Sequence, residues 1–176
     1  MLPDSIHITT AAAPCVTLAE FAAHARLDLI PDAEQQLINA YITAAEQAIS
    51  RELKRPLGLC VAEFGYQAEA WQNLQIAFTP LASIESVTVN GQPVDYTLSE
   101  GGAFPTIKLA QAPPAGSGII VSAQVGWADV PQPLRVAVMM LAAGLFEHRM
   151  NDSEIALHNN RAFDRLLAAY RQEFVY

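Results

Sequence analysis

The 176 residues read as an α+β protein: a helical core with a small antiparallel sheet and hairpin region inserted between N-terminal and C-terminal helices. Three observations carry that reading. Apolar residues recur at helical spacing over 17–54, the period drops to two between about 60 and 126, and a nearly all-apolar run follows from Leu134. No repeat or low-complexity linker divides the chain, so residues 1–176 are expected to form a single domain, with the last helices over about 131–174.

Each element has a local cause. Thr17 and Glu20 stand at capping-box spacing, and Leu18, Phe21, Ala22 and Ala25 then share one face, which predicts a short helix over Thr17–Leu27. Pro31-Asp32 restarts the chain. Leu37, Tyr41, Ala44, Ala45, Ala48, Ile49 and Leu53 recur at helical spacing and predict a longer helix that Pro56 and Gly58 end. Its other face carries Glu34, Glu46, Arg51 and Lys54. Leu74, Ile76 and Phe78 alternate with Gln75, Ala77 and Thr79, the pattern of a strand.

Asn90-Gly91 lies between Val87-Thr88-Val89 and Val94-Asp95-Tyr96 and signals a two-residue hairpin; Pro93 makes its second strand start late or lie at an edge. Gly101-Gly102 and Pro113-Pro114-Ala115-Gly116 mark further turns, and Ile107–Leu109 and Ile119–Val125 are strand candidates. Pro131 and Pro133 suit a first helical turn. Leu134–Arg149 is apolar on nearly every side until Glu147, which predicts a buried central helix. Asn151-Asp152-Ser153 ends it, and Phe163, Leu166, Leu167, Tyr170 and Phe174 predict a last amphipathic helix.

Composition excludes several function classes. Half of the residues are hydrophobic (52%), enough for a conventional core in a chain of this length, and the net charge is −8. An acidic chain does not grip nucleic acid by neutralising phosphates. Cys15 and Cys60 are too few for a disulfide scaffold and stand in no CxxC or Cys/His metal spacing, so a reducing compartment is expected. Met1-Leu2-Pro3-Asp4 opens no signal peptide, and Val136–Phe146 is far shorter than a membrane span, so a soluble intracellular product without membrane contact is expected.

The residues offer no chemistry of their own. His7, His24, His148 and His158 form no HxxxH, HExxH or HxH pattern, so no metal is expected; His148 reads as a helix-end cation and His158 as a solvated loop residue. The glycines form neither GxGxxG nor a phosphate loop, so no nucleotide cofactor is expected. Ser117 between Gly116 and Gly118 reads as a flexible hairpin tip rather than a hydrolase nucleophile. Asp152 and Glu154 read as surface charge, and Trp71 and Trp127 as packing residues at strand ends. No catalytic residue is assigned.

The order of short motifs is more informative. Thr17-Leu18-Ala19-Glu20 with Arg26-Leu27-Asp28 comes first, then Arg55-Pro56-Leu57-Gly58 at a helix end and Ile84-Glu85-Ser86-Val87-Thr88-Val89 in the strands. Val125-Gly126-Trp127, Val130-Pro131 and Phe146-Glu147-His148-Arg149 follow. This order resembles the head-to-tail connector (adaptor) family of tailed bacteriophages and prophages over nearly the whole chain. Leu166-Leu167-Ala168-Ala169-Tyr170-Arg171 resembles the family's ending, with Ala169 where a proline often precedes that Tyr-Arg.

The resemblance implies a structural virion protein at the head-tail junction, assembled in the host cytoplasm, without catalytic site or cofactor. It implies a homo-oligomeric ring of about a dozen copies that binds the portal protein above and a neck or tail-completion protein below, with passive contact to DNA in the lumen. The charge-bearing outer face of the 32–54 helix and the β middle are the candidates for contacts between copies. The candidate portal anchors are Phe163, Tyr170, Phe174 and Tyr176, since aromatics concentrate binding energy; packing of Phe163 and Tyr170 on their own subunit is the alternative. Two other readings stay open: a small ligand-binding or enzymatic domain with a pocket between helices and sheet, and a neck or tail-completion protein.

Overall fold

The computed structural model describes residues 1–68, 73–99, 104–147 and 161–171. In chain order the elements are β1 (Ser5–Thr10), α1 (Leu18–Ala25), α2 (Asp32–Leu53), β2 (Cys60–Gln67), β3 (Asn73–Gln75), β4 (Leu81–Val89), β5 (Gln92–Pro93), β6 (Tyr96–Ser99), β7 (Thr106–Leu109), β8 (Gly118–Val125), α3 (Gln132–Glu147) and α4 (Arg161–Ala168). The α+β class follows directly. Two compact units form: Met1–Ala12 with Leu59–Ala128, and Ala13–Gly58 with Asp129–Tyr176.

The first unit is all β. One sheet has the strand order β1-β2-β8-β4-β5 and a smaller one β3-β7-β6, and every pairing is antiparallel. Alternation places Cys60, Ala62, Phe64 and Tyr66 of β2 and Ile119, Val121, Ala123 and Val125 of β8 on one face, all buried. Register joins the two rows, with Ala62 opposite Ala123 and Phe64 opposite Val121. The Phe64 ring meets Phe78 edge to face at 5.7 Å. Leu74, Ile107 and Leu109 supply the buried side of the smaller sheet.

The β region differs from the sequence expectation in four places. It recruits β1, which pairs with β2 and has no counterpart among the expected strands; Gly65 leaves room for this, because a Cβ there would sit 2.5 Å from the Ser5 hydroxyl oxygen. The alternation at 73–79 yields only the three-residue β3, after which Ile76 and Ala77 are both buried. The Asn90-Gly91 turn forms with both residues at positive φ (49° and 79°), but Gln92–Pro93 alone returns as an edge strand, and Tyr96–Ser99 crosses to the smaller sheet. Ser117 is no flexible tip: it is buried, and the Asn90 amide donates to its hydroxyl at 3.2 Å.

The second unit is helical. The Thr17 capping box forms as expected: the Glu20 N–H donates to the Thr17 hydroxyl at 3.3 Å, and the Glu20 carboxylate accepts from the Thr17 N–H at 2.8 Å. Arg26 and Lys54, both left-handed, close α1 and α2. In α2 the buried stripe is Ile38, Ile42, Ala45, Ile49 and Leu53, which packs on α3. The expected face is therefore a composite, since Leu37, Ala44 and Ala48 are exposed and Tyr41 is half-buried. Helix α3 is fully buried only at Leu134, Ala137, Val138 and Ala142, so it is less enclosed than its composition predicts. Helix α4 stops at Ala168, short of the expected 174. No described helix is long and apolar enough to cross a membrane.

Candidate functional site

The four aromatic anchors expected near the C-terminus divide three ways. Phe163 lies on α4 with 6% of its surface exposed and belongs to the core of its own unit beside Leu167. Tyr170 is half-buried just beyond α4, where its carbonyl accepts from the Arg55 guanidinium and its N–H donates to the Leu167 carbonyl at 2.9 Å. Phe174 and Tyr176 lie outside the described residues, as do His148, His158, Trp71, Gly101, Gly102, Asp152 and Glu154.

Ion pairs tie that C-terminal segment to α2. The Arg171 guanidinium donates to the Glu52 carboxylate at 2.5 Å and lies 3.5 Å from Asp164. The Glu52 hydrogen bond is the main reason the Arg171 pKa is raised. Burial lowers that of Arg55. The end of α4 is therefore held by charge-assisted bonds from two α2-side residues, Glu52 and Arg55.

A second polar cluster joins α1, α2 and α3. Arg135 pairs with Glu20, whose carboxyl is held below its ordinary range first by the Thr17 backbone N–H, then by the Thr17 hydroxyl, with Arg135 adding to both. Glu46 accepts from the Cys15 N–H at 2.6 Å and pins the segment before α1 onto α2. Burial, then the Glu46 hydrogen bond and charge, push the Cys15 thiol up to about 12, and burial raises that of Cys60. Thiols held protonated are not nucleophiles. His7 and His24 are exposed on β1 and at the last turn of α1. Among the described residues no three His, Cys, Asp or Glu side chains group as metal ligands.

Surface chemistry distinguishes the two units. On the outer face of the five-stranded sheet, Glu63, Ser122, Gln124 and Ser86 replace the apolar row, and the Glu85 carboxylate accepts from Ser122 at 3.1 Å and from Gln124 at 3.2 Å. On α2, Leu37, Ala40, Ala44 and Ala48 leave an exposed apolar strip beside the buried one. Helical spacing alone places three of these residues in the core. A test for two separate apolar stripes on one helix recovers the difference.

No protein-family profile matches the chain. Over 44 residues it is 39% identical to the head completion protein gp6 of Enterobacteria phage HK97, a match that covers 25% of this chain and 41% of that protein. The fold is similar end to end to three solved chains. One, from the neck of an empty gene transfer agent (GTA) particle in sixfold (C6) symmetry, has a TM-score of 0.79 at 23% identity, covering 98% of this chain and 97% of that one. A chain of the native GTA virion gives 0.78 at 22% identity, covering 97% of each. One from the native GTA neck in twelvefold (C12) symmetry gives 0.73 at 22% identity, covering 98% and 97%. The chain thus shares its fold, over nearly its whole length, with chains of GTA neck and virion particles.

Proposed function

We propose, from a fold shared along almost its entire length with chains of phage-like necks, that this protein is a ring-forming structural connector at the head-tail junction of a tailed phage or prophage particle. The observation that carries the reading is the end-to-end similarity to a neck chain in twelvefold symmetry. The short match to a head completion protein points to the same part of a virion. Copies join in a closed ring, the portal protein lies on one side and a neck or tail-completion protein on the other, and DNA passes through the lumen.

The physics of the chain suits that role. A net charge of −8 leaves a lumen lined by many copies without the phosphate-neutralising surface that would hold DNA in place. Among the described residues, the raised pKa values of Cys15 and Cys60 keep both thiols from acting as poised nucleophiles, in keeping with a non-enzymatic part. For the portal contact we assign the segment that leaves α4, with Tyr170, Phe174 and Tyr176 as anchors. Phe163 packs into the core of its own unit, and the Arg55 and Arg171 bonds hold residues 170–171 to the α2 side.

The test is the mass of the purified chain by light scattering over a concentration series, alone and mixed with portal protein, with negative-stain images of any large species. A closed ring in either sample is the expected result. A chain that stays monomeric in both, together with infectious tailed particles from a phage lacking this reading frame, overturns the proposal.

A further inference from the structure

Helix α2 has three sectors rather than two. With one residue every 100°, Ile38, Ile42, Ala45, Ile49 and Leu53 point into the unit, and Gln35, Asn39, Thr43 and Glu46 form a polar side. A third sector, roughly 130° from the buried stripe, carries Ala33, Leu37, Ala40, Tyr41, Ala44 and Ala48 and is free of charge along roughly 22 Å. Five of these six are exposed, and Tyr41 is half-buried. Surface helices ordinarily carry one apolar stripe, so the second one is unpartnered within the subunit.

Helix α3 carries a smaller apolar face. On the side opposite its buried residues Leu134, Ala137, Val138 and Ala142, Val136, Met139 and Met140 are partly buried and uncharged, with the exposed Glu147 closing that side at the helix end. Both faces belong to the helical unit, both point away from the α2-α3 seam, and they are not alike. Two unlike faces on one subunit are what a head-to-tail contact repeated round a closed ring requires. Copies with a net charge of −8 repel one another, which favours contact through uncharged surfaces. Small residues at every third or fourth position allow a neighbouring helix to approach closely, Met adapts to an uneven partner, and Tyr41 supplies an aromatic anchor.

We propose that the outer stripe of α2 in one copy seats against the Val136-Met139-Met140 side of α3 in the next copy, forming the repeating contact of the ring. The inference rests on the ring reading above and names its interface. Ala44 sits at the centre of the stripe, so Ala44→Arg places a charge in every contact of the ring while leaving the subunit core untouched. Met140→Glu does the same from the other side. In the doubly substituted chain every contact sets the introduced guanidinium of one copy against the introduced carboxylate of the next. Asn39→Arg, on the polar sector, serves as the control.

The measurement is ring mass by light scattering for these chains, with portal protein added where the unsubstituted chain needs it, and helix content by circular dichroism throughout. Expected are loss of the ring species in each single variant at unchanged helix content, recovery of rings in the double variant, and no change for Asn39→Arg. Rings of unchanged mass from Ala44→Arg overturn the interface and leave the ring reading standing. A dimer from the unsubstituted chain that Ala44→Arg abolishes also overturns it, because stripe would then meet stripe. An unsubstituted chain that forms no ring in either condition overturns the interface, and the ring reading falls with it when a phage lacking this reading frame also yields infectious tailed particles.

Discussion

Ile49→Ala against Leu37→Ala decides which side of α2 is the core. Ile49 is fully buried one turn before the end of the helix, whereas Leu37 keeps 38% of its surface exposed. Removing three carbons from a buried side chain forfeits about 0.8 kcal/mol each, or about 2.4 kcal/mol together. Incomplete collapse around the vacated space raises the total toward 4 kcal/mol, and the better helix propensity of Ala returns only a few tenths. For Leu37→Ala the exposed site limits the loss to about 0.5 kcal/mol in the isolated subunit. Urea titration followed by helical circular dichroism, at a concentration where the chain is monomeric, reads both values. The reasoning fails if Ile49→Ala costs less than about 1 kcal/mol while Leu37→Ala costs more than about 2 kcal/mol, because the stripe assigned to the outside would then be the one packed within the subunit.

Four further outcomes are expected. Thr17→Ala removes a capping box and costs about 0.5–2 kcal/mol by the same titration. Because the folded Glu20 carboxyl lies below its ordinary range, its contribution is present above the unfolded value and is lost as pH falls through the folded one; urea midpoints therefore drop between neutral and acid pH, and by less in Thr17→Ala. The Cys15 thiol, raised to about 12, stays protonated in the fold, so alkylation at pH 8 is slower than in urea by at least about tenfold, and mass spectrometry locates the label. Its stabilising effect runs the other way from Glu20: it is complete below the unfolded thiol value and disappears as pH rises through the folded one. Gly91→Ala, at φ 79° with open space around it, costs about 1–2 kcal/mol from backbone conformation alone, read as a lower melting temperature.

Elements whose signals are local were legible in the sequence. The Thr17–Glu20 box, the Asn90-Gly91 turn and the stops at Pro56 and Gly58 act over three or four residues, and the structure has α1, the β4–β5 turn and the end of α2 where they indicate. Signals that depend on distant partners were not. Ser5-Ile6-His7-Ile8 alternates as a strand should, but the strand it pairs with is β2, which follows both N-terminal helices in the sequence. The face of α2 was misassigned because Leu37 and Ala48 satisfy helical spacing as well as Ile38 and Ile49 do, and spacing does not tell two adjacent stripes from one wide one. The C-terminal anchors were half legible for a similar reason. An aromatic residue at helical spacing suits a core as well as an interface, and Phe163 went to the core.

The interleaving of the two units has a kinetic consequence. β8 lies between β2 and β4 in the centre of its sheet, and α3 closes the helical unit, so each unit needs a segment from late in the chain to complete a core begun early. During synthesis, α1 and α2 emerge with their buried stripe uncovered and wait for residues 132–147, while β1 waits for β2 and β2 for β8. Such long-range closure is slow and gives partly made chains little native structure. A ribosome-bound fragment therefore lacks a finished subunit surface until the residues of β8 and α3 have emerged.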